Sequence, residues 1–137
     1  MILSQASKYA LRAAIHLARH ADEPQLSRDI ATSIDVPGQY LAKILQDLAR
    51  HGVLTSTKGR GGGFRLSHAA TDVELLSVVK AIEGKDFGEG CVLGLPECSN
   101  DDPCPLHEQW KTIRDALIKM LQQTRFSDLS PSSKLLD

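Results

Sequence analysis

The sequence predicts a mainly α-helical protein with one small β-hairpin: a winged helix-turn-helix followed by a long C-terminal dimerisation helix. Three features predict it. Two amphipathic segments are joined by Val36-Pro37-Gly38, a glycine-rich hairpin signal follows over residues 53–67, and an apolar seam runs from Leu106 to Leu121. A length of 137 residues suits one domain. With 42% hydrophobic and 24% charged residues the chain can bury a core, which excludes wholesale disorder, collagen and a coiled-coil rod. No apolar run approaches the roughly 20 residues that cross a bilayer. The opening MILSQASKYALRAA has no basic start, apolar stretch and cleavage site in series. A cytoplasmic chain without membrane contact is expected.

From Ser4 to about His20, Tyr9, Ala13 and Leu17 form one stripe and Leu11, Ile15 and Ala18 a second, a broad face for a central helix. Asp22-Glu23-Pro24 breaks it. Ser27 is the expected N-cap of a short helix that turns Ile30, Ala31 and Ile34 inward. A helix over residues 39–50 then places Leu41, Ile44, Leu45 and Leu48 on one side and Gln39, Lys43, Gln46 and Arg50 on the other. Gly52 suits a left-handed cap. Two short β-type runs flank Lys58-Gly59-Arg60-Gly61-Gly62-Gly63, so the hairpin carries a basic tip; no Gly-Lys-Ser/Thr follows, which argues against a nucleotide P-loop. Turn, polar helix and basic wing in that order make a winged helix-turn-helix. Asp72 is the expected cap of a helix with Leu75, Leu76, Val79 and Ile82 on one side, closed by Gly84. Pro105 is the expected first residue of the last long helix, which runs to about Thr124. Its apolar positions Trp110, Ile113, Leu117, Met120 and Leu121 keep the spacing of a dimer seam.

The domain plan is therefore a DNA-binding unit at residues 1–68, a connecting helix at 69–84, a cysteine-rich loop at 85–104, a dimerisation helix at 105–125 and a flexible tail at 126–137. Charge follows it. Residues 1–66 carry nine Lys/Arg against five Asp/Glu, and residues 67–137 carry seven against twelve, so the net charge of −1 hides a basic front and an acidic back. A basic front suits a polyanion such as double-stranded DNA. On the exposed stripe, Gln39, Lys43 and Gln46 carry the donors and acceptors that reach base edges, while Tyr40 and Arg50 suit phosphates. Lys58 and Arg60 suit phosphates or the minor groove.

All three cysteines fall in Cys91-x₆-Cys98-x₅-Cys104-x₂-His107. An odd number of cysteines in a cytoplasmic chain argues against a disulfide framework. Three thiolates and an imidazole instead make a soft tetradentate set for zinc or an iron–sulfur centre, and spacing alone does not choose between them. Asp86, Glu89, Glu97, Asp101 and Asp102 border the loop as oxygen donors, with solvation the simpler role. His16, His20, His51 and His68 have no motif context and are read as packing or surface residues. No Ser/His/Asp or paired-carboxylate constellation appears, so an enzyme is not expected.

The stretches SKYALRAAIHLA, QYLAKILQDLARHGVL, KGRGGGFRL and CPLHEQW resemble the Rrf-type regulators, the family of IscR, NsrR and RirA, over about residues 2–128. The resemblance implies a dimeric winged-helix transcription regulator, and many members carry an iron–sulfur cluster whose gain, loss or modification changes DNA binding. By the same resemblance Cys91, Cys98 and Cys104 match the cysteine ligands, and His107 the histidine completing a 2Fe–2S set. A 4Fe–4S cluster is the other form. Lys8 stands where NsrR-like members place an acidic ligand, a role an ammonium does not fill. The first cysteine gap is one residue longer than in IscR-like members, and Ala42 replaces their acidic DNA-reading residue, which leaves Gln39 and Lys43 as the main base-contact candidates. The expected function is a homodimeric operator-binding regulator controlled by the cluster and sensing iron, redox state or nitric oxide. A metal-free thiol-redox sensor and a DNA binder with structural zinc are the alternatives.

Overall fold

The computed structural model describes residues 3–69, 72–96 and 99–129. In chain order it contains α1 (Gln5–Arg19), α2 (Ser27–Ile34), α3 (Gly38–Arg50), the antiparallel pair β1 (Leu54–Thr57) and β2 (Gly63–Leu66), α4 (Leu75–Glu83), α5 (His107–Gln123) and a single 3₁₀ turn at Phe126–Asp128. The winged helix-turn-helix and the long last helix are present as the periodicities predict.

The helix α1 is central because its buried side chains are small. Ser4 caps it, its hydroxyl accepting from the Ser7 N–H at 3.1 Å. Ala10, Ala13 and Ala14 are fully buried, which lets α2, α3, α4 and β2 all approach the same helix. The buried face of α3 is the one periodicity marks: Leu41, Ile44, Leu45 and Leu48. Between α2 and α3, Asp35 adopts a left-handed conformation (φ 54°), and the Val36 N–H returns to the Ala31 carbonyl at 3.0 Å. Across α1, an Arg12 Nη donates to the Ile34 carbonyl, an end-of-helix acceptor that the turn leaves open. After α3, Gly52 (φ 78°) lets the Val53 N–H reach Leu48 and turns the chain into the wing.

The wing is anchored by a contact that no local pattern announces. Gln25, in the α1–α2 link, pairs with Phe64 of β2 through both backbone bonds, at 2.9 and 2.7 Å, so the hairpin gains a third, one-residue strand. His16 Nε2 lies 2.7 Å from the Gln25 side-chain oxygen and ties the link to α1. Close approach explains Gly63: its φ is +137°, and an added Cβ would lie 2.4 Å from the Gln25 carbonyl oxygen.

The two faces of α4 serve different cores. Val78 joins the main core under α1 and α3, whereas Leu76 and Val79 meet Leu121 of α5 in a small second cluster flanked by Phe87, Leu117 and Ile118. The chain after α5 then folds back. The Leu75 N–H donates to the Thr124 carbonyl at 3.0 Å, Glu74 pairs with Arg125, and Phe126, 4% exposed, enters the main core.

Four expectations are corrected. Leu26, not Ser27, is the N-cap of α2, because the Gln25–Phe64 pairing holds the preceding residues extended. Asp72 is not the cap of α4; Glu74 precedes the helix because its backbone is held extended against Arg125. Pro105 lies in a turn closed by the His107 N–H on the Cys104 carbonyl, so α5 starts at His107. The expected flexible tail is packed over its described part, residues 126–129, with Leu129 also against the main core; residues 130–137 lie outside the described residues.

Gly63→Ala should lower folding stability by about 2 kcal/mol or more, since both the positive φ and the clash with Gln25 must be relieved. Urea denaturation measures this, and an unchanged midpoint would contradict the packing described.

Candidate nucleic-acid interface and cysteine loop

The polar stripe of α3 faces outward in full. Gln39, Tyr40, Lys43, Gln46 and Arg50 are all exposed, while the opposite stripe is buried. Two of these residues are already engaged. An Arg50 Nη pairs with Asp47 Oδ1, so Arg50 must trade that carboxylate for any phosphate. Tyr40 is 46% exposed, and its ring meets Tyr9 of α1 edge to face, centroids 5.5 Å apart. The Arg12 guanidinium carbon lies 5.3 Å from the centre of the Tyr9 ring. Arg12 thus supports both the turn before α3 and the ring that flanks the exposed stripe. Sequence reasoning missed Tyr9 and Arg12, because α1 meets α3 only in the folded chain.

Lys58 and Arg60 are exposed at the wing tip, flanking the positive-φ residue Gly59, with Gly61 following. The side chain of Arg65 turns instead to the Ala21 carbonyl at 3.3 Å, bracing the wing against the end of α1. Beneath it, burial pushes the pKa of His16 down, with smaller contributions from nearby His20 and Arg19, against the opposing hydrogen bond to Gln25.

The cysteine loop is organised from its ends. Cys91 Sγ and Cys104 Sγ lie 3.7 Å apart, both half-buried. Cys98, like Glu97, falls outside the described residues. The Cys91 thiol is held below its ordinary range, first by the backbone N–H groups of Leu95 and Leu93, then by its contact with Cys104 and by Gly94; burial works in the opposite direction. His107 is 3% exposed and its Nε2 lies 2.8 Å from Asn100 Oδ1. Among the described residues, which leave out Cys98, no three His, Cys, Asp or Glu side chains are grouped so as to hold a metal ion. Asp86, Glu89, Asp101 and Asp102 are exposed, as solvating groups are. Asn100, the partner of His107, was not legible, since only loop closure brings the two together.

On α5 the expected seam divides. Leu121 is 1% exposed and Leu117 half-buried, both against the second cluster of the same chain. Ile113 and Met120 are 52% and 53% exposed, Leu106 is 44% exposed, and Trp110 is half-buried. Ile113 and Met120 are spaced by seven on the exposed side of α5, and Leu106, its N-cap, stands seven residues before Ile113.

A family model described as Rrf2, iron-dependent transcriptional regulator, matches residues 3–132. The chain is 30% identical over 136 residues to the protein rrf2 of Nitratidesulfovibrio vulgaris, covering 98% of this chain and 91% of that one. It is 31% identical over 136 residues to the transcriptional repressor NsrR of Streptomyces coelicolor, covering 96% and 84%. Among solved structures, the global cysteine regulator CymR of B. subtilis superposes with a TM-score of 0.79 at 25% identity, covering 96% and 98%. No helix among the described residues is long and apolar enough to cross a membrane.

Two outcomes follow from these environments of His16 and Cys91. His16 is held neutral in the fold, so its contribution to stability is complete above the unfolded value near 6.5 and is lost as pH falls below it. A His16→Gln variant should flatten stability between about pH 7 and 5; an unchanged slope would contradict the burial argument. In the metal-free chain, the pH midpoint for iodoacetamide labelling of Cys91 should lie below that of an ordinary thiol, and a midpoint at or above it would remove the backbone N–H groups as the cause.

Proposed function

Because the chain belongs to the Rrf2 family of DNA-binding transcriptional regulators, we propose that it is a homodimeric repressor whose operator affinity is set by an iron–sulfur cluster in the cysteine loop. The observation that carries this reading is the apposition of Cys91 and Cys104. Two thiolates on one tetrahedral metal with bonds near 2.3 Å stand about 3.8 Å apart, and these sulfurs are 3.7 Å apart. Cys91, Cys98 and Cys104 would hold the cluster. His107 is the fourth candidate, and its ring would have to keep or exchange Asn100 while binding. The soft donor set suits iron–sulfur and zinc alike; the family match favours iron, with 2Fe–2S ahead of 4Fe–4S because Lys8 offers no carboxylate. When bound, the cluster would supply a cross-link labile to oxidants, nitric oxide and iron shortage.

The chain's own residues would then transmit the loop's state. The loop is fastened to α5 and to the second cluster, α5 rests on α4, and α4 rests on α1 and α3. Leu106, Ile113 and Met120 expose three large apolar side chains, the kind of surface a second α5 covers. With α5 as the dimer contact, a change at its start alters the spacing of the two α3 helices against half-sites about one DNA turn, roughly 34 Å, apart. Gln39, Lys43 and Gln46 would read bases; Tyr40, Arg50, Lys58 and Arg60 would hold the backbone.

Anaerobic purification tests the metal: iron and sulfide in matched amounts with visible absorption bands support the cluster, whereas a colourless chain with one zinc contradicts it. Lys43→Ala should weaken operator binding about tenfold or more and relax one base position, while Lys58→Ala should weaken binding to all sequences and lower the salt slope by about one. The reverse pattern would exchange the two roles. Ile113→Glu should give monomers by analytical ultracentrifugation with the fold intact; dimers in that variant would place the interface elsewhere.

A further inference from the structure

The apposition of the two thiols is built from protein contacts alone. On one side, the Trp110 indole N–H donates to the Gly90 carbonyl at 3.1 Å and fixes the backbone entering Cys91. The Gly94 N–H closes a turn on the Cys91 carbonyl at 2.9 Å. On the other side, the His107 N–H donates to the Cys104 carbonyl at 3.1 Å. Both cysteines are therefore tethered to the first turn of α5, one through Trp110 and one through His107. At 3.7 Å the sulfurs are in van der Waals contact. A disulfide needs them at about 2.05 Å, so the sulfurs have to close by under about 2 Å.

We propose that Cys91 and Cys104 are a modification site: in the metal-free loop they form an intramolecular disulfide on exposure to hydrogen peroxide, with Trp110 as the residue that positions them. One thiol, attacking as its thiolate, breaks the O–O bond and becomes a sulfenic acid, and the released hydroxide takes up the thiol's proton to leave as one water. The second thiol attacks that sulfur, the S–S bond forms and the second water leaves. Two thiols are oxidised and one peroxide reduced, with no further reactant. The product occupies both sulfurs that a metal would need, so the oxidised loop cannot be loaded until a thiol reductant opens it. This goes beyond the cluster reading and does not rest on it, since the site is defined in the metal-free chain.

The full-length chain, stripped of metal under anaerobic conditions, is treated with hydrogen peroxide and examined by intact mass and peptide mapping. Loss of two hydrogens and a Cys91–Cys104 cross-link are expected in the unmodified chain and equally in Cys98→Ser, whose circular dichroism confirms the fold. Cys91→Ser and Cys104→Ser should not form it. Trp110→Phe keeps the ring and loses the N–H donor, and should slow cross-linking about fivefold. Pairing through Cys98, or sulfinic acid without any cross-link, would overturn the proposal, and an unchanged rate in Trp110→Phe would remove the positioning role.

Discussion

The packing of α5 on α4 is the constraint on which the rest depends. Leu121 against Leu76 and Val79 forms a separate small cluster, and through it α5 and the cysteine loop are joined to α4, which packs on α1 and α3 of the basic front. Three buried aliphatic side chains of this kind contribute about 5–8 kcal/mol together, a modest joint beside the main core. Coupling free energies between sites are about 1–3 kcal/mol, so a change in the loop is of the right size to shift this joint without unfolding it. Phe87 extends the cluster into the loop, and the pairing of Glu74 with Arg125 clamps its far end.

The front half is built so that α3 has little freedom of its own. Three fully buried alanines bring α1 close to every neighbour, and Arg12 contacts both the end of α2 and the Tyr9 ring against which Tyr40 rests. The wing is similarly fastened, by Gln25 and by the glycine that lets the strand come near it. Base-reading candidates and backbone-holding candidates therefore belong to one packed unit, and in the proposed dimer regulation would act on how two such units are spaced rather than on their internal shape.

What was legible in the sequence was periodic. Leu41, Ile44, Leu45 and Leu48 opposite Gln39, Lys43, Gln46 and Arg50 marked both the core and the exposed face of α3, and the glycine-rich basic tip marked the wing. What was not legible arises from contacts distant in sequence. Gln25 sits in an unremarkable link until Phe64 arrives beside it, and Phe126, an isolated aromatic beyond the last helix, shows no pattern that foretells its burial. The seam on α5 shows the limit most clearly: spacing by three and four is the same whether the partner is α4 or a second copy, and the helix uses Leu117 and Leu121 for the first while leaving Ile113 and Met120 outward. For the cysteines, spacing suggested a soft donor set, and only the fold showed that Cys91 and Cys104 meet and that the His107 ring reaches Asn100.

The central claim is that the state of the cysteine loop changes the spacing of the two α3 helices. The most direct measurement is the distance between spin labels attached through an unnatural amino acid at Ser33, an exposed residue of α2, by double electron–electron resonance in the metal-loaded and metal-free protein. The account predicts one rigid distance in each state and a shift between them, lost when Leu121 is replaced by Ala. Identical distributions in the two states would contradict it.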